Sequence, residues 1–306
     1  MKKIMTLLLI LIVANLFATK YAGEIFSIGA GVRNYALGGI GLSDAKSPAI
    51  AYWNSALLAK SERQLELLHA EEFNGLLKFD TFSAVFGKKN AYSVVLTRIG
   101  IDDIPLTEWN DEYKRPQKYK SVNNSDMVCY FGFSTQIKGF SIGFSPKFAY
   151  RTLSDESGFG FGADIASYVN IKANWIFAAK LKDFFSSQIL WSTDNHEVVL
   201  PSLSMESNYK FSIPVAKKEA HFFLGTDIYA EGRELASTVH VGALSADFHA
   251  GLETVVSEKL SIYMGYDVSY FTGGLTAQFN RFKINYAFEQ NTDLNNSHRV
   301  SIGYRL

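Results

Sequence analysis

The sequence lacks three features that commonly reveal the class of a chain: cysteine pairs, an excess of charge and long apolar runs. Its one cysteine, Cys129, lies far from the amino terminus, so neither a disulfide framework nor a lipid-modified amino-terminal cysteine can form. The 30 basic and 30 acidic side chains cancel, which gives no electrostatic reason to expect nucleic acid as a partner. After residue 18 no apolar run is long enough to cross a membrane as a helix. A form inserted in a membrane would therefore have to be a closed β-barrel.

The sequence also lacks a complete enzyme or cofactor motif. The glycine clusters at 29–31 and 158–162 are followed neither by a convincing helix pattern nor by a lysine or ribose-binding acid. The six histidines show no spacing typical of metal ligands. A lipid hydrolase on a barrel wall would need a serine beside a histidine, but His298 and Ser301 fall on opposite faces of the last strand. We therefore predict a protein that is not an enzyme and needs no cofactor or metal.

The amino terminus has the composition of a secretory signal. A basic start, Met1-Lys2-Lys3, precedes an almost wholly apolar stretch from Ile4 to Phe17, and small residues follow at Ala18 and Ala22. This pattern predicts a cleaved signal peptide within residues 1–22 and hence export. An uncleaved anchor is disfavoured because the apolar stretch is shorter than the roughly 20 residues that a bilayer requires.

The last ten residues alternate polar and apolar side chains up to the carboxyl terminus. Val300, Ile302, Tyr304 and Leu306 would lie on one face of a strand, and the residues between them on the other. The same period of two recurs from Gln64 onward. It predicts about fourteen strands, of about 9 to 12 residues in many cases, which is the length of a tilted strand that crosses a bilayer. These strands are expected near 64–71, 79–87, 91–99, 126–137, 139–152, 159–170, 174–184, 203–213, 220–230, 246–256, 260–270, 273–280, 281–289 and 297–306.

The connections between these strands give a second indication. Those at one end are tight, as at Lys138-Gly139, whereas most at the other end are long and polar, near 100–125, 185–202, 231–245 and 290–296. The one short exception expected there is Phe271-Thr272-Gly273. Outer-membrane barrels have short periplasmic turns and longer external loops, whereas a soluble sandwich has no reason to sort its loops. We therefore predict an all-β fold, a transmembrane antiparallel β-barrel of about 14 strands that contacts the lipid of a bacterial outer membrane.

Charged side chains fall on the face that such a barrel would turn toward its lumen. The positions that we select are Asp164, Asp247, Glu253, Asp267, Lys283 and Arg299. Opposite charges could pair across the lumen and hold a plug, or they could set a preference for ions or substrates. The pattern does not separate these two roles.

Residues 23–63 differ in character from the strands that follow. Glycines crowd the region between 29 and 41, and Asp44, Tyr52, Trp53, Asn54 and Ser55 come after them. Because glycine lets a backbone approach a crowded wall, we predict that this segment folds into the lumen as a hatch. The expected organisation is a signal peptide at 1–22, a hatch at 23–63 and the barrel at 64–306.

Both ends of the chain resemble one known family. Gly38-Gly39-Ile40-Gly41, Asp44 and the run from Ala51 to Ala59 resemble the amino-terminal hatch of the PorV/PorQ family of FadL-like outer-membrane β-barrel proteins. The carboxyl-terminal stretches Arg281–Phe288 and His298–Leu306 are similar to the same family. The chain departs from the family pattern at Ser55, Leu57 and Leu306, where proline, glycine and a terminal aromatic residue are usual.

The resemblance implies a function as well as a fold. Members of the PorV/PorQ family take part in type IX secretion, where a barrel handles cargo proteins at the cell surface together with other secretion components. Other FadL-like barrels take up hydrophobic small molecules. We expect the first function for this chain and keep the second, a channel for hydrophobic molecules, as the alternative.

Overall fold

The computed structural model describes residues 22–306 except 73–74, 88–89, 138–139, 215–217, 235 and 292–294. Apart from Ala22, the expected signal peptide therefore lies outside the described residues. Two short α-helices, α1 (Val32–Ala36) and α2 (Ile50–Trp53), and two 3-10 helices (Ala22–Phe26 and Ser55–Lys60) precede the first strand. In the ranges just given, no helix combines the length and the apolar character needed to cross a membrane.

The described residues from 64 onward form seventeen β-strands. They are β1 (Gln64–Glu72), β2 (Leu77–Phe86), β3 (Tyr92–Asn110), β4 (Arg115–Ile137), β5 (Phe140–Leu153), β6 (Glu156–Lys172), β7 (Trp175–Lys182), β8 (Gln188–Trp191), β9 (His196–Val198), β10 (Ser202–Ile213), β11 (Lys218–Tyr229), β12 (Val239–Val241), β13 (Leu244–Ser257), β14 (Leu260–Asp267), β15 (Tyr270–Phe279), β16 (Phe282–Glu289) and β17 (Ser297–Arg305).

Fourteen of the strands in the described part of the chain close into one antiparallel barrel, which confirms the predicted fold class. The ring runs through β1–β7, β10, β11 and β13–β17, and β17 pairs back to β1 from Gln64 opposite Arg305 to Glu71 opposite His298. Closure removes the unpaired edges that an open sheet would expose. The connections 183–201 and 230–243, which contain β8, β9 and β12, lie at one end of the barrel, called the loop end. Two-residue connections such as 173–174 and 258–259 lie at the opposite end, called the turn end.

Two expectations about the loop end are wrong. The stretch 100–125 is not a loop, because β3 and β4 continue through it as a paired hairpin whose turn lies at 111–114. Both faces of this projection are largely exposed, so its sequence is mostly polar and resembles that of a loop. Phe271-Thr272-Gly273 belongs to β15, and the true connection is Val268-Ser269. The connection at 154–155 is also short, so loop length distinguishes the two ends less clearly than expected.

The alternating pattern separates the two faces of the wall. On β17, Val300 and Ile302 are 48% and 57% exposed, whereas Ser301 between them is 2% exposed. Outward-facing positions on the other strands are likewise largely aromatic or aliphatic, and the buried polar and charged side chains of the strands face inward. An apolar exterior and a polar interior are the arrangement of a barrel in lipid.

Candidate functional site

Residues 22–60, called the inner segment, contact the inward-facing side chains of the barrel. The helix α1 packs against β14–β17, α2 packs against β3 and β4, and the 3-10 helix Ser55–Lys60 packs against β4–β6. Side chains from Ala30 to Leu58 are nearly all buried. Gly23 lies against Val199 at the loop end, and the segment passes into β1 at the turn end. It therefore extends along the lumen from one end to the other.

Glycines on both surfaces let the backbone of the inner segment touch the backbone of the wall. Gly38 has φ +76°, and a Cβ on it would lie 2.6 Å from the carbonyl oxygen of Tyr266. On the wall, a Cβ on Gly265 would lie 2.3 Å from the nitrogen of Gly38, and one on Gly251 would lie 2.6 Å from the oxygen of Leu37. Contacts this short exclude any side chain, so these glycines are required by the close approach.

Arg33 joins two of the acidic residues selected from the sequence. Its Nε donates to Asp44 at 2.7 Å, and its Nη1 and Nη2 donate to the two oxygens of Glu253 at 2.9 and 2.8 Å. Lys46 Nζ donates to Glu253 at 2.8 Å. Arg33, Asp44 and Glu253 are all buried, so the paired arrangement is required to offset their desolvation. This cluster fixes the inner segment to β13.

A second carboxylate binds the backbone of residues 41–43, which follow Gly38 and Gly39. Glu206 of β10 accepts hydrogen bonds from the backbone N–H groups of Gly41, Leu42 and Ser43 at 2.9, 2.8 and 2.9 Å, and also from the hydroxyl of Ser43. Three N–H groups directed at one carboxylate satisfy donors that no regular secondary structure pairs here. Glu206 thus anchors the inner segment on the wall at a second place.

The four residues 52–55 hold the inner segment together and attach it to the wall. Trp53 Nε1 donates to the carbonyl of Ala30 at 2.7 Å, and the hydroxyl of Tyr52 accepts from the N–H of Gly29 at 3.0 Å. Asn54 Nδ2 donates to the carbonyl of Leu42 at 2.7 Å, and Asn54 Oδ1 accepts from the N–H of Ala56 at 3.0 Å. The hydroxyl of Ser55 lies 2.7 Å from that of Ser145 on β5.

Replacement of Trp53 and Asn54 together with alanine should loosen the inner segment and raise the leakage of small solutes. The double variant loses three hydrogen bonds within the segment, each of which contributes about 0.5–1.5 kcal/mol, and leaves a cavity beside Gly41. We expect a several-fold rise in conductance in planar bilayers. Conductance equal to that of the unmodified barrel would show that these contacts do not keep the lumen closed.

The remaining charged residues selected for the lumen all face inward and have partners. Lys147 and Lys180 both lie within 2.9 Å of Asp164, and Asp247 pairs with Arg233 at 2.8 Å. Asp267 pairs with His249 at 2.9 Å, Lys283 donates to Gln64 at 2.8 Å, and Arg299 pairs with Glu72 at 2.7 Å. Lys147 also pairs with Asp183, just after β7, at 2.7 Å. Three of these side chains also contact the inner segment. Lys180 donates to the carbonyl of Tyr52. Arg233 lies 3.3 Å from Glu24, and Arg299 stacks on the ring of Tyr35.

Arg33, Glu206, Lys147 and Arg233 were not selected from the sequence. Lys147 and Glu206 occupy inward positions of an alternating strand, so the period of two could have marked them. Arg233 lies in an irregular segment and Arg33 in a helix of only five residues, where no sequence period indicates a direction. Among the described residues, no group of three His, Cys, Asp or Glu side chains is arranged to hold a metal ion.

Part of the inner wall is apolar, although the residues selected for the lumen from the sequence are all charged. Beside Thr81 and Thr97, the inward-facing side chains of β1–β4 in the middle of the barrel and toward the loop end include the largely apolar Leu68, Phe79, Val95, Ile99, Val128 and Tyr130. They form one cluster with apolar side chains of the inner segment, and Tyr35 lies edge-on to Phe79 with ring centroids 6.1 Å apart. The wall near the turn end is polar instead and surrounds a cavity of about 390 Å³ lined by Arg33, Lys46, Glu66, Glu253, Lys283 and Arg305, among others.

Comparison with solved structures identifies transport barrels of the same fold. The toluene transporter TbuX of Ralstonia pickettii shares 10% identity at a TM-score of 0.55, covering 91% of this chain and 98% of that one. The toluene transporter TodX of Pseudomonas putida shares 11% identity at a TM-score of 0.53, covering 90% and 96%. A FadL homologue of Pseudomonas aeruginosa shares 8% identity at a TM-score of 0.54, covering 90% and 98%. No family model and no curated protein matches the sequence. At these identities the likeness shows a FadL-like outer-membrane barrel fold.

Proposed function

We propose that the protein passes hydrophobic small molecules through a bacterial outer membrane, and that the inner segment is a plug that moves to open the path. The apolar inner wall of β1–β4 is the observation that carries this proposal. A channel for ions or sugars is filled with water and lined by polar side chains. The buried apolar side chains of Phe79, Val95 and Val128 on the inner face do not fit such a lining.

The free energy of exposing this wall favours an apolar occupant. When the plug leaves, each Å² of apolar surface that meets water costs about 25 cal/mol, and a hydrophobic solute that covers the same surface avoids that cost. In the closed state Tyr35, Phe26 and Tyr52 cover the wall, and Tyr52 lies 5.2 Å from Tyr130 between ring centroids. The solute would therefore replace the side chains of the plug.

The similar structures support the channel over the secretion role. TbuX and TodX are described as toluene transporters, and CymD, which matches at a TM-score of 0.53, as a monoaromatic hydrocarbon channel. Those descriptions belong to those proteins, and the shared fold makes a related solute reasonable here. Participation in type IX secretion stays a prediction from the resemblance to the PorV/PorQ family, and no contact in the described residues favours it.

A reversible cross-link tests whether the plug must move. The hydroxyls of Ser55 and Ser145 lie 2.7 Å apart, so cysteines at both positions can form a disulfide with an S–S distance of about 2.0 Å after small shifts. In a Cys129→Ala background, oxidised Ser55→Cys/Ser145→Cys protein should lose at least nine-tenths of its uptake of labelled toluene. Treatment with dithiothreitol should restore it. The assay uses whole cells of a host without its own hydrocarbon channels.

Single-cysteine variants at 55 and at 145 are the matched controls and should transport equally under both conditions. If the oxidised double variant takes up toluene as fast as the reduced one, the inner segment is not a moving plug. If the unmodified protein raises uptake of neither toluene nor longer alkyl solutes above the empty host, the channel function is wrong.

A further inference from the structure

The charged residues on the outer wall are concentrated in one place. Six residues with outward-facing or exposed side chains on three adjacent strands form what we call the outer patch: His69, Glu71, Lys78, Asp80, Arg98 and Asp102. In the described barrel portions of the other eleven strands, outward-facing positions carry Asp, Glu, Lys or Arg only at Lys218, the first residue of β11. Charged groups on a wall that faces lipid are costly and commonly mark a functional site.

The register brings the outer patch together near the end of the first hairpin. His69 lies opposite Asp80, Asp80 lies opposite Arg98, and Glu71 lies opposite Lys78. His69 and Asp80 are each three residues from the end of their strand, β1 ending at Glu72 and β2 beginning at Leu77. At about 3.3 Å per residue, both side chains lie roughly 10 Å from the ends of these strands, toward the loop end of the barrel.

Among the basic side chains of the outer patch, Arg98 lies farthest from a carboxylate partner. Lys78 donates to Asp102 at 2.8 Å, and His69 Nδ1 lies 2.7 Å from Asp80. Arg98 has one carboxylate within 4 Å among the described residues, Asp80 at 3.7 Å, and its side chain is 48% exposed. Its guanidinium therefore retains donors in the planar fork that matches a phosphate group.

An apolar groove adjoins these charges on the same outer wall. A cavity of about 690 Å³ lies between β17 and β4, and its apolar lining comes from Leu67, Phe82, Leu96, Met127, Val300 and Ile302, while His69, Asp80 and Arg98 line its polar side. An apolar groove bordered on one side by a guanidinium suits a molecule with a charged head and a hydrocarbon tail.

We propose that the outer patch and this groove bind a phosphate-bearing lipid of the outer leaflet. The phosphate accepts hydrogen bonds from the guanidinium of Arg98, and an acyl chain lies in the groove along Leu96 and Ile302. The site is distinct from the lumen and does not depend on what the barrel transports.

The small size of the outer patch favours a lipid over a protein partner. Three neighbouring strands spaced about 4.8 Å apart make the patch roughly 10 Å wide, whereas a stable protein interface covers about 800 Å² on each partner. The groove is also continuous with the apolar belt around the barrel, where lipid is already the surrounding solvent. A second copy of the chain is the competing occupant, and the experiment must separate the two.

Native mass spectrometry of the full mature protein, released from detergent, tests the proposal with lipid A as the probe. The unmodified protein should retain lipid A that carries its phosphates, and retain the same lipid without phosphates at least tenfold less. Arg98→Leu should lower retention of the phosphorylated lipid at least tenfold, and Arg98→Lys by several-fold, because lysine keeps the charge but loses the fork. Lys210→Met, which removes an exposed ion pair with Glu219 elsewhere on the barrel, should change nothing.

A second variant guards against misfolding of the first. Ile302→Trp leaves Arg98 in place but fills the groove, and it should also lower retention at least tenfold while heat-modifiable migration on gels remains normal. Equal retention by Arg98→Leu and the unmodified protein overturns the proposal, as does displacement of the lipid by inorganic phosphate alone, which would leave the groove without a role. A dimer that dissociates on Arg98→Leu without any bound lipid would show that the outer patch joins two copies.

Discussion

Replacement of Arg33 with methionine should open the lumen to ions. The change leaves the buried carboxylate of Asp44 without its cation and leaves Glu253 with Lys46 alone. Removal of one member of a buried pair costs about 3–5 kcal/mol, and every 1.4 kcal/mol is a factor of ten in an equilibrium constant. The balance between the closed and open plug should therefore shift by roughly 100-fold or more toward the open state.

Planar-bilayer conductance and hydrogen exchange check this expectation together. Conductance should rise from near zero to long-lived open steps, and the backbone amides of residues 32–46 should exchange faster while those of the barrel strands do not. Glu219→Gln is the matched control, because it breaks an exposed pair with Lys210 that contributes about 1 kcal/mol at most. A closed barrel with protected amides in Arg33→Met would mean that the cluster does not hold the plug.

The double variant Arg33→Met/Glu253→Met gives a further check on the cause. Neutral side chains of similar length remove one buried charge from each side, so the barrel should be more closed than with Arg33→Met alone. The double variant should recover only part of the closed state of the unmodified protein, since Asp44 still lacks its partner. Additive effects of the two substitutions would contradict a direct interaction between Arg33 and Glu253.

Replacement of Gly265 with leucine should displace the plug by a different route. A Cβ at this position would lie 2.3 Å from the nitrogen of Gly38 and 2.4 Å from the carbonyl carbon of Leu37, distances that real Cβ atoms do not adopt. Because the obstacle is the backbone of the plug, it cannot be relieved by a rotamer change, and overpacking of this kind typically costs about 1–3 kcal/mol. The turn at 37–39 must leave the wall.

Limited proteolysis reports this displacement. Trypsin should cleave after Arg33 and Lys46 at least tenfold faster in Gly265→Leu, while the barrel keeps its heat-modifiable migration. Gly273→Leu is the control on the neighbouring strand, where a Cβ points outward and its nearest contact is 3.6 Å away. Equal cleavage of the two variants would show that the close approach at Gly265 does not retain the plug.

The sequence predicted the two faces of the barrel strands better than it predicted what lies inside the barrel. Alternation along each strand distinguishes two faces, and this sufficed to place Ser301 inside and Ile302 outside. It failed where both faces meet the same solvent, as in the hairpin continuation of β3 and β4. Neither face is consistently apolar there, so polar and apolar residues do not alternate. It also missed the apolar inner wall, since in pairs such as Leu67-Leu68 and Val94-Val95 both faces are apolar and the period is lost.

The interior cluster shows the limit for the candidate site. Asp44 and Glu253 were selected separately, one from a motif and one from an alternating strand. Arg33, which joins them, lies 220 positions from Glu253 in the chain. No local pattern could pair them, because their proximity depends on how a segment of irregular structure folds inside a closed ring.

By itself the sequence determined most of the barrel strands, their inward and outward faces and about how many close the barrel, because a period of two is a local property of extended backbone in contact with lipid on one side. The tertiary structure alone decided which charges pair, which glycines touch the plug and where charges gather on the outer wall. These features arise from barrel closure, which sets residues far apart in the chain at fixed distances across a lumen or along a row of neighbouring strands.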